Sequence, residues 1–422
     1  MGGAGGLVSC ILYPFGWAHG RYNRSMVHRS RRVPEDLSLN RLAEARTRIG
    51  EIPFDLMVSN PTACGLPYPP DLLSDLAHPR GLAWEPDPRG PMAARNAVAA
   101  EFERWGATPN PQRVVLTSST SEAYGFLFRL FCDPGDAVLV PSPSYPLLEH
   151  LAALDGIKAQ PYALDPDTGW RVNFPDLEDN PARVRAVVVV HPNNPTGSFV
   201  HPDDRGRLVA LCRERDWALI ADEVFLPYPL DGGPGEEKTF ASVEGCLCCT
   251  LGGLSKSLGL PQLKLAWIVV TGPEELVEPA LDGLDYIADA FLSVSTPVAL
   301  ATPQLLADGT PLREAIIDRC RSNLATLHGL VSKHTAVSIR HVGGGWSAVL
   351  KVPSVIGEEE LCLRLLERRG IAVHPGFLFN FPDEGWLSIS LLPPADTFSD
   401  GVRLLFVLID ETLMPHSDSD DG

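Results

Sequence analysis

The feature that most constrains the fold is a series of short apolar segments that lack polar alternation and are separated by helical patterns. Strands that alternate apolar and polar residues cover one face of a sheet, whereas strands without alternation are buried on both faces. We therefore predict an α/β chain with a mostly parallel central sheet and helices on both faces. The segments concerned are 113–116, 136–140, 185–190 (RAVVVV), 218–221, 246–251 and 265–270.

The pattern changes after about residue 310, where helices and short strands no longer alternate regularly. This change predicts a large domain over residues 76–309 and a smaller α+β domain formed by residues 26–75 and 310–415. Residues 1–25 are interpreted as a disordered or mis-started extension, because Met26 opens a helical pattern. The acidic tail 416–422 is predicted to be disordered.

Charge and composition exclude several classes of function. The 35 basic and 53 acidic residues give a formal net charge of −18. A basic patch is the usual footprint of proteins that bind nucleic acids or anionic membranes, so neither is an expected partner. No uncharged apolar segment is long enough to span a bilayer, and we expect a cytoplasmic protein. Cys246, Cys248 and Cys249 lack a second ligand pair with zinc-site spacing, so no metal site is predicted.

Polar residues suited to chemistry follow several of the predicted strands. The carboxyl ends of parallel strands meet at one edge of a sheet, and this edge is where ligands bind in such folds. We therefore predict that these residues share one site. They are Thr117–Ser121, Tyr145, His191–Gly197, Asp222 and Ser255–Lys256.

Two of these motifs allow a structural and a functional interpretation. Ser119, Thr120 and Ser121 begin a predicted helix, where backbone N–H groups and hydroxyls favour an anion. The alternative is a simple N-cap that Glu122 completes as a capping box. The motif HPNNPTG (191–197) is a rigid loop with two amide side chains after a buried strand, which is more specific than a turn alone.

Asp222 and Lys256 carry the same ambiguity. Asp222 ends a buried strand and is interpreted either as a helix N-cap or as a carboxylate that pairs with a positive charge on a ligand. Lys256 follows a strand and two glycines. A lysine becomes nucleophilic when desolvation lowers its pKa, and the apolar strand upstream favours this interpretation over a solvated surface lysine.

Taken in order, these motifs resemble the pyridoxal-phosphate enzymes of the aspartate-aminotransferase type (fold type I, class I/II aminotransferases), over roughly residues 50–412. The resemblance implies that Lys256 forms the internal aldimine with the cofactor aldehyde and moves the proton of the substrate. It implies that Asp222 keeps the pyridine nitrogen protonated, that Asn194 donates to the phenolic oxygen and that Tyr145 stacks on the ring. The implied contacts to the phosphate are Ser119, Thr120, Ser121, Ser255, Lys264 and, from a neighbouring subunit of a homodimer, Trp84.

The chain departs from the family pattern at four positions. Trp84 and Phe225 stand where many members have tyrosine, and Lys264 replaces a phosphate-binding arginine, so that a point charge replaces a bidentate fork. In HPGFLFNFPDEGWLSIS (374–390), Ser388 stands where the family has the arginine that binds the substrate α-carboxylate. Asn60 or Arg369 is a candidate to replace it; otherwise the substrate lacks an α-carboxylate or the reaction has changed.

The predicted activity is transfer of an amino group between an amine or amino acid and a carbonyl acceptor such as a keto acid. A lyase or decarboxylase on the same scaffold and a cofactor-binding homologue without catalysis are the alternatives within the cofactor class. An α/β binding protein without the cofactor is the alternative outside it. The joint presence of Lys256, Asp222 and Asn194 favours an enzyme, because no structural need for these three residues together is evident.

Overall fold

The computed structural model describes residues 30–180, 182–231 and 238–413, which leaves the predicted extension 1–25 and the tail 416–422 outside the described residues. The strands are β1 (Phe54–Asp55), β2 (Val114–Thr117), β3 (Ala137–Ser142), β4 (Lys158–Asp165), β5 (Arg171–Val172), β6 (Val184–Val190), β7 (Ala218–Asp222), β8 (Cys248–Gly253), β9 (Ala266–Thr271), β10 (Ser338–Ile339), β11 (Ser347–Lys351), β12 (Ile371–Ala372), β13 (His374–Pro375) and β14 (Trp386–Ser390).

The described residues also form short 3-10 turns and twelve α-helices, and none of these helices is long and apolar enough to cross a bilayer. They are α1 (Arg41–Ile49), α2 (Met92–Glu101), α3 (Thr120–Phe131), α4 (Leu147–Asp155), α5 (Phe174–Glu178), α6 (Pro202–Arg215), α7 (Leu254–Ser257), α8 (Glu274–Asp289), α9 (Thr296–Asp308), α10 (Thr310–Val331), α11 (Glu358–Arg369) and α12 (Ala395–Leu413).

The chain divides into two compact units. Of the described residues, those within 60–318 and 341–346 form the large unit, and residues 30–59, 319–340 and 347–413 form the small unit. The sequence placed the corresponding boundaries at residues 75 and 309. The observed division between residues 318 and 319 lies inside α10, where a continuous helix gives no local sign of it in the sequence. The segment 341–346 belongs to the large unit although both of its flanks belong to the small unit.

The large unit is built on an eight-stranded sheet with the order β2-β9-β8-β7-β6-β3-β4-β5. The pairs β4–β3, β3–β6, β6–β7 and β7–β8 are parallel, which confirms the predicted mostly parallel α/β sheet. The valines of β6 are almost all buried, and side chains from α3, α4 and α8 pack in the same apolar core. This burial on both faces explains why the strand sequence shows no polar alternation.

The strand directions decide which residues meet at one edge. β9 is antiparallel to both β8 and β2, so β2 points the same way as β8 and the other parallel strands. The carboxyl ends of β2, β3, β6, β7 and β8 therefore lie at one edge, as the sequence predicted. Because β9 runs the opposite way, its first residues also begin at this edge.

The small unit contains an antiparallel sheet with the order β10-β11-β14-β13, and β1 pairs with β12 in a separate parallel ladder. Ser388 lies in the middle of β14, opposite Val349 on one side and His374 on the other. Its side chain is 2% exposed. The guanidinium of Arg369 forms an ion pair with Glu411, so this candidate for a substrate contact already has a partner within the small unit.

The turn after β9 provides a test of the packing in the large unit. Gly272 has φ +130°, and an added Cβ would lie 2.4 Å from the carbonyl oxygen of Cys246. Because neither the backbone conformation nor this backbone contact can relax cheaply, Gly272→Ala should lower the free energy of unfolding by at least about 2 kcal/mol. Gly206 in α6 has open space around it, so Gly206→Ala should instead stabilise the unit by about 1 kcal/mol. Urea denaturation of the two variants and wild type measures both changes in the free energy of unfolding. A Gly272→Ala protein as stable as wild type would contradict this packing.

Candidate active site

The start of α3 lies at the carboxyl end of β2 and combines a cap with free donors. Ser119 is the N-cap residue, and its Oγ accepts from the backbone N–H of Glu122 at 3.1 Å. The Glu122 carboxylate accepts from the backbone N–H of Ser118 at 2.6 Å. The N-cap at Ser119 is therefore confirmed, whereas Glu122 bonds the residue before the cap and so does not form the predicted capping box; the cap is compatible with anion binding. The first N–H groups of a helix have no partner within it, so those of Thr120 and Ser121 remain directed to this edge.

The two asparagine side chains of the loop after β6 differ in their hydrogen bonds. The Asn193 side chain is buried, accepts from Ser144 Oγ at 2.7 Å, and donates to the Pro143 carbonyl and to Thr196 Oγ1 at 2.9 Å each. It thus ties the loop to the segment that carries Tyr145. No hydrogen bond of the Asn194 side chain is found among the described residues, and this residue is half-buried. Only Asn194 is left available to a ligand.

Asp222 is the last residue of β7 and has two defined donors. Its Oδ1 accepts from the backbone N–H of Val224 at 3.1 Å, and its Oδ2 accepts from the hydroxyl of Tyr124 at 2.9 Å. Burial raises the pKa of the Asp222 carboxyl, and these two donors together with the charge of Lys256 act in the opposite direction. Tyr145, at the end of β3, is close enough to Asp222 for the carboxylate charge to reinforce burial, and its pKa is raised to about 12.

Lys256 lies in the short helix α7, directly after β8. Its Nζ lies 4.9 Å from the ring centroid of Trp346 and 5.6 Å from that of Phe225. No hydrogen bond or ion pair of this amine is found in the part of the chain that the structure describes. Burial lowers the pKa of Lys256 to about 8, against the opposing effect of the Asp222 charge. The amine is therefore desolvated, and it lies close enough to Asp222 for the charges of the two residues to interact.

The segment 341–346 brings a residue into this site that the sequence did not indicate. The N–H groups of Gly343 and Gly344 donate to the carbonyl of Gly197 in the asparagine loop at 3.0 and 2.9 Å. A Cβ on Gly344 would lie 2.9 Å from the ring of Phe199 and from the Tyr228 carbonyl, so only glycine permits this approach. The close docking places Trp346 over Lys256.

Two further aromatic residues of the site were missed. The hydroxyl of Tyr228 donates to the backbone carbonyl of Lys256, and the ring centroids of Tyr228 and Trp346 are 5.1 Å apart. Tyr124 lies four residues after Thr120 on α3, so helical spacing from the hydroxyl run would have placed it on the same face of the helix. For Trp346 no local signal exists, because its neighbours in the fold are far away in sequence.

Other predicted site residues lie apart from these contacts. Lys264 precedes β9 and its side chain is exposed, and Trp84 is 70% exposed. Asn60 caps a short turn, with its Oδ1 accepting from the N–H and the hydroxyl of Thr62 at 3.1 and 2.8 Å. Ser255 adjoins Lys256 and is half-buried. Ser388 belongs to the small unit, as described above.

The family model "Aminotransferase class I and II" matches residues 73–397. The chain belongs to the class I and II aminotransferases. Enzymes of this family use pyridoxal phosphate, and this chain is a pyridoxal-phosphate-dependent aminotransferase.

Individual relatives agree with the family. An alanine aminotransferase of Mycobacterium tuberculosis is 28% identical over 350 residues, which cover 80% of this chain and 81% of the relative. A capreomycidine synthase of Streptomyces vinaceus is 33% identical over 315 residues, which cover 72% of this chain and 76% of the relative. An Escherichia coli aminotransferase of known structure has the same fold, with a TM-score of 0.79 at 22% identity over 92% of this chain and 99% of that chain.

The residues present in this aminotransferase fit the cofactor. Pyridoxal phosphate carries an anionic phosphate, a basic ring nitrogen and an aldehyde. The large unit offers a helix start with hydroxyl residues, a half-buried carboxylate and a desolvated amine without a hydrogen bond among the described residues. For each chemical group of the cofactor, a side chain of complementary chemistry is therefore available.

The different contacts of Asn193 and Asn194 predict different consequences for the same substitution. Asn193→Ala leaves the Pro143 carbonyl and the Ser144 hydroxyl without this buried partner and removes one of the hydrogen bonds of Thr196, so it should lower the free energy of unfolding by about 2 kcal/mol. Asn194→Ala should change this free energy by less than about 0.5 kcal/mol, while weakening the binding of pyridoxal phosphate. Urea denaturation of the apoenzyme and cofactor titration separate the two effects. Equal losses of stability would show that both amides are structural.

Proposed function

We propose that this aminotransferase works through Lys256 and Asp222, with an amino acid or amine as donor and a keto acid as acceptor. The observation that carries the proposal is the desolvated Lys256 amine, which shares a buried strand edge with the Asp222 carboxylate. Bound pyridoxal phosphate supplies an electron sink that stabilises negative charge at the substrate Cα. The protein residues hold this group and move the proton.

Lys256 has two tasks in this proposal. Its amine would hold the cofactor through the aldehyde, and once a substrate amine has taken its place, Nζ would take the proton from the substrate Cα as a general base. Burial lowers the pKa of Lys256 to about 8, which favours the neutral amine that a general base requires. The protonated Nζ would then return the proton, and bound pyridoxal phosphate would supply the chemistry that releases the carbonyl product.

Asp222 and the surrounding loops orient the ring. The Asp222 carboxylate would hold the proton on the ring nitrogen, Asn194 would donate to the phenolic oxygen and Tyr145 would stack on the ring. The hydroxyls of Ser119, Thr120, Ser121 and Ser255 would bind the phosphate, and Lys264 would contribute its charge. A preorganised carboxylate stabilises positive charge on the ring without reorganisation during the reaction, which is the usual origin of electrostatic catalysis.

Substrate recognition differs from the family pattern in this proposal. Ser388 offers one hydroxyl where the family has a guanidinium, and hydrogen bonds to charged groups contribute about 1.5–3 kcal/mol. Ordinary α-amino acids should therefore bind weakly unless another group binds their carboxylate. Asn60 remains a candidate for binding the substrate carboxylate, whereas Arg369 is already paired with Glu411.

We also propose that the enzyme is a homodimer acting in the cytoplasm. The large unit exposes several large apolar side chains, and such residues on a protein surface favour association. They are Leu82 (95% exposed), Trp84 (70%), Tyr286 (83%) and Phe291 (52%). Pairing of two copies would cover them, and it would allow Trp84 to serve the phosphate site of the neighbouring subunit.

A second candidate function is a synthase or lyase reaction on the same scaffold. The identity of 33% to a relative named capreomycidine synthase, together with Ser388, favours keeping this candidate. Elimination releases ammonia, whereas transamination leaves the amino group on the cofactor. Single-turnover mixing with candidate amino acids, with ammonia and keto acid both quantified, distinguishes the two reactions.

The covalent role of Lys256 is tested by substitution and labelling. Lys256→Ala should abolish both the absorbance of the lysine-bound cofactor and turnover, because no other amine replaces the nucleophile. Lys158, which is exposed on β4, provides the control, and Lys158→Ala should behave as wild type. Borohydride reduction of the wild-type holoenzyme followed by peptide mass mapping should locate the label at residue 256. A label on a different lysine would refute the assignment.

The role of position 388 predicts a gain of function. If the missing guanidinium limits binding, Ser388→Arg should lower KM for common α-amino acids by tens-fold, which corresponds to one charged hydrogen-bonded pair of about 2 kcal/mol. Ser388→Met introduces similar bulk without charge and should give no gain. Steady-state kinetics with a panel of amino acids measures both variants. Equal behaviour of the two would mean that the pocket, and not the missing charge, sets the specificity.

A further inference from the structure

The hydrogen bond between Tyr124 and Asp222 links two elements of the large unit. Tyr124 lies on α3, near the helix start that carries the hydroxyl run, and its hydroxyl donates to Oδ2 of Asp222 at 2.9 Å. The ring is 4% exposed and packs against Phe128 with 5.7 Å between centroids. Packing of the ring therefore fixes the position of the phenol, independently of its hydrogen bond to the carboxylate.

The contacts of Asp222 leave room for a ligand. The backbone N–H of Val224 binds Oδ1 and the Tyr124 hydroxyl binds Oδ2, so both oxygens are held in place from the protein side. A carboxylate has about four lone-pair directions. Two donors thus orient the carboxylate, and its remaining lone pairs can accept a hydrogen bond from the ring N–H of the cofactor.

The phenol also acts on the charge of the carboxylate. Burial favours the protonated acid, which could not hold a proton on the ring nitrogen. Burial and the neighbouring carboxylate raise the pKa of Tyr124 well above its ordinary value, so its hydroxyl remains a donor throughout the working pH range. A neutral donor to the charged form of Asp222 opposes the effect of burial without introducing a competing charge.

We propose that Tyr124 is a positioning residue that acts through Asp222, by orienting the carboxylate and keeping it ionised toward the ring nitrogen of the cofactor. This inference rests on the role of Asp222 proposed above. The competing explanation is that Tyr124 is a core aromatic residue whose hydroxyl merely finds the nearest acceptor. Phenylalanine would then serve equally well, apart from a uniform loss of stability.

The experiment measures binding of pyridoxamine phosphate to the apoenzyme, because this ligand has the ring nitrogen but no aldehyde for Lys256. Calorimetric titrations between about pH 5.5 and 8.5 would compare wild type with Tyr124→Phe. Without the phenol, the Asp222 carboxyl protonates at a higher pH on acidification. The pH below which binding weakens should therefore rise by about one unit, and Kd at the acidic end should increase about tenfold.

Tyr162→Phe is the matched control. Tyr162 is also buried in the large unit, and its hydroxyl donates to the Val188 carbonyl at 2.8 Å and not to a carboxylate. Its removal should lower stability but leave the pH profile of binding as in wild type. A site-specific 3-fluorotyrosine at position 124, which strengthens the phenol as a donor, should move the profile in the opposite direction to Tyr124→Phe. This second variant keeps the test valid if Tyr124→Phe folds poorly.

Three outcomes would overturn the inference. A loss of affinity in Tyr124→Phe that does not vary with pH, or no loss at all, would leave Tyr124 with a structural role only. A loss of the same size when Tyr124→Phe is added to Asp222→Asn would show that Tyr124 does not act through Asp222. If Asp222→Asn itself binds as tightly as wild type, the proposed role of Asp222 fails and the inference fails with it.

Discussion

The site depends on keeping a carboxylate and an amine functional at a strand edge where burial drives both toward their neutral forms. Desolvation raises the pKa of Asp222 and lowers that of Lys256, and the charge of each residue opposes the shift of the other. Electrostatic interactions are stronger here than in water, because the surroundings have a low dielectric constant. The pair can therefore be disturbed by any neighbour that adds or removes one hydrogen bond, which makes the surrounding donors part of the chemistry.

The neighbours of this pair divide into residues that hold the backbone and residues that remain available. Asn193 is saturated by contacts within the large unit, whereas no such contact of the Asn194 side chain is found among the described residues. Ser119 caps α3 in the same way, ahead of Thr120 and Ser121. Adjacent residues of the same type thus differ in their contacts, since one member is held by hydrogen bonds within the large unit and the other is proposed to bind the ligand. The sequence motif shows both adjacent residues but does not indicate which of them is available to a ligand.

The sequence predicted the buried strands well and other elements poorly, for physical reasons. The strand β6 occurs where its apolar pattern placed it. The helices α8 and α9 were not predicted, since each contains an internal proline that ordinarily ends a helix. The strand β4, near the end of the sheet, was missed because many of its residues are exposed or half-buried. Trp346 could not be predicted, since its contacts with Lys256 and Phe225 depend on a docked loop whose flanks belong to the other unit.

The aromatic surroundings of Lys256 give the departure at Phe225 a specific meaning. A tyrosine at this position would offer a hydroxyl, whereas Phe225 and Trp346 present only rings to the amine. Such rings favour an ammonium group by roughly 1 kcal/mol but accept no hydrogen bond of ordinary strength from it. The amine is thus desolvated without being fixed by a strong acceptor. Burial lowers the pKa of Lys256 to about 8, so more of this amine is neutral near neutral pH than for an ordinary lysine. No hydrogen bond of Nζ is found among the described residues, so none there opposes the general-base role proposed for Lys256.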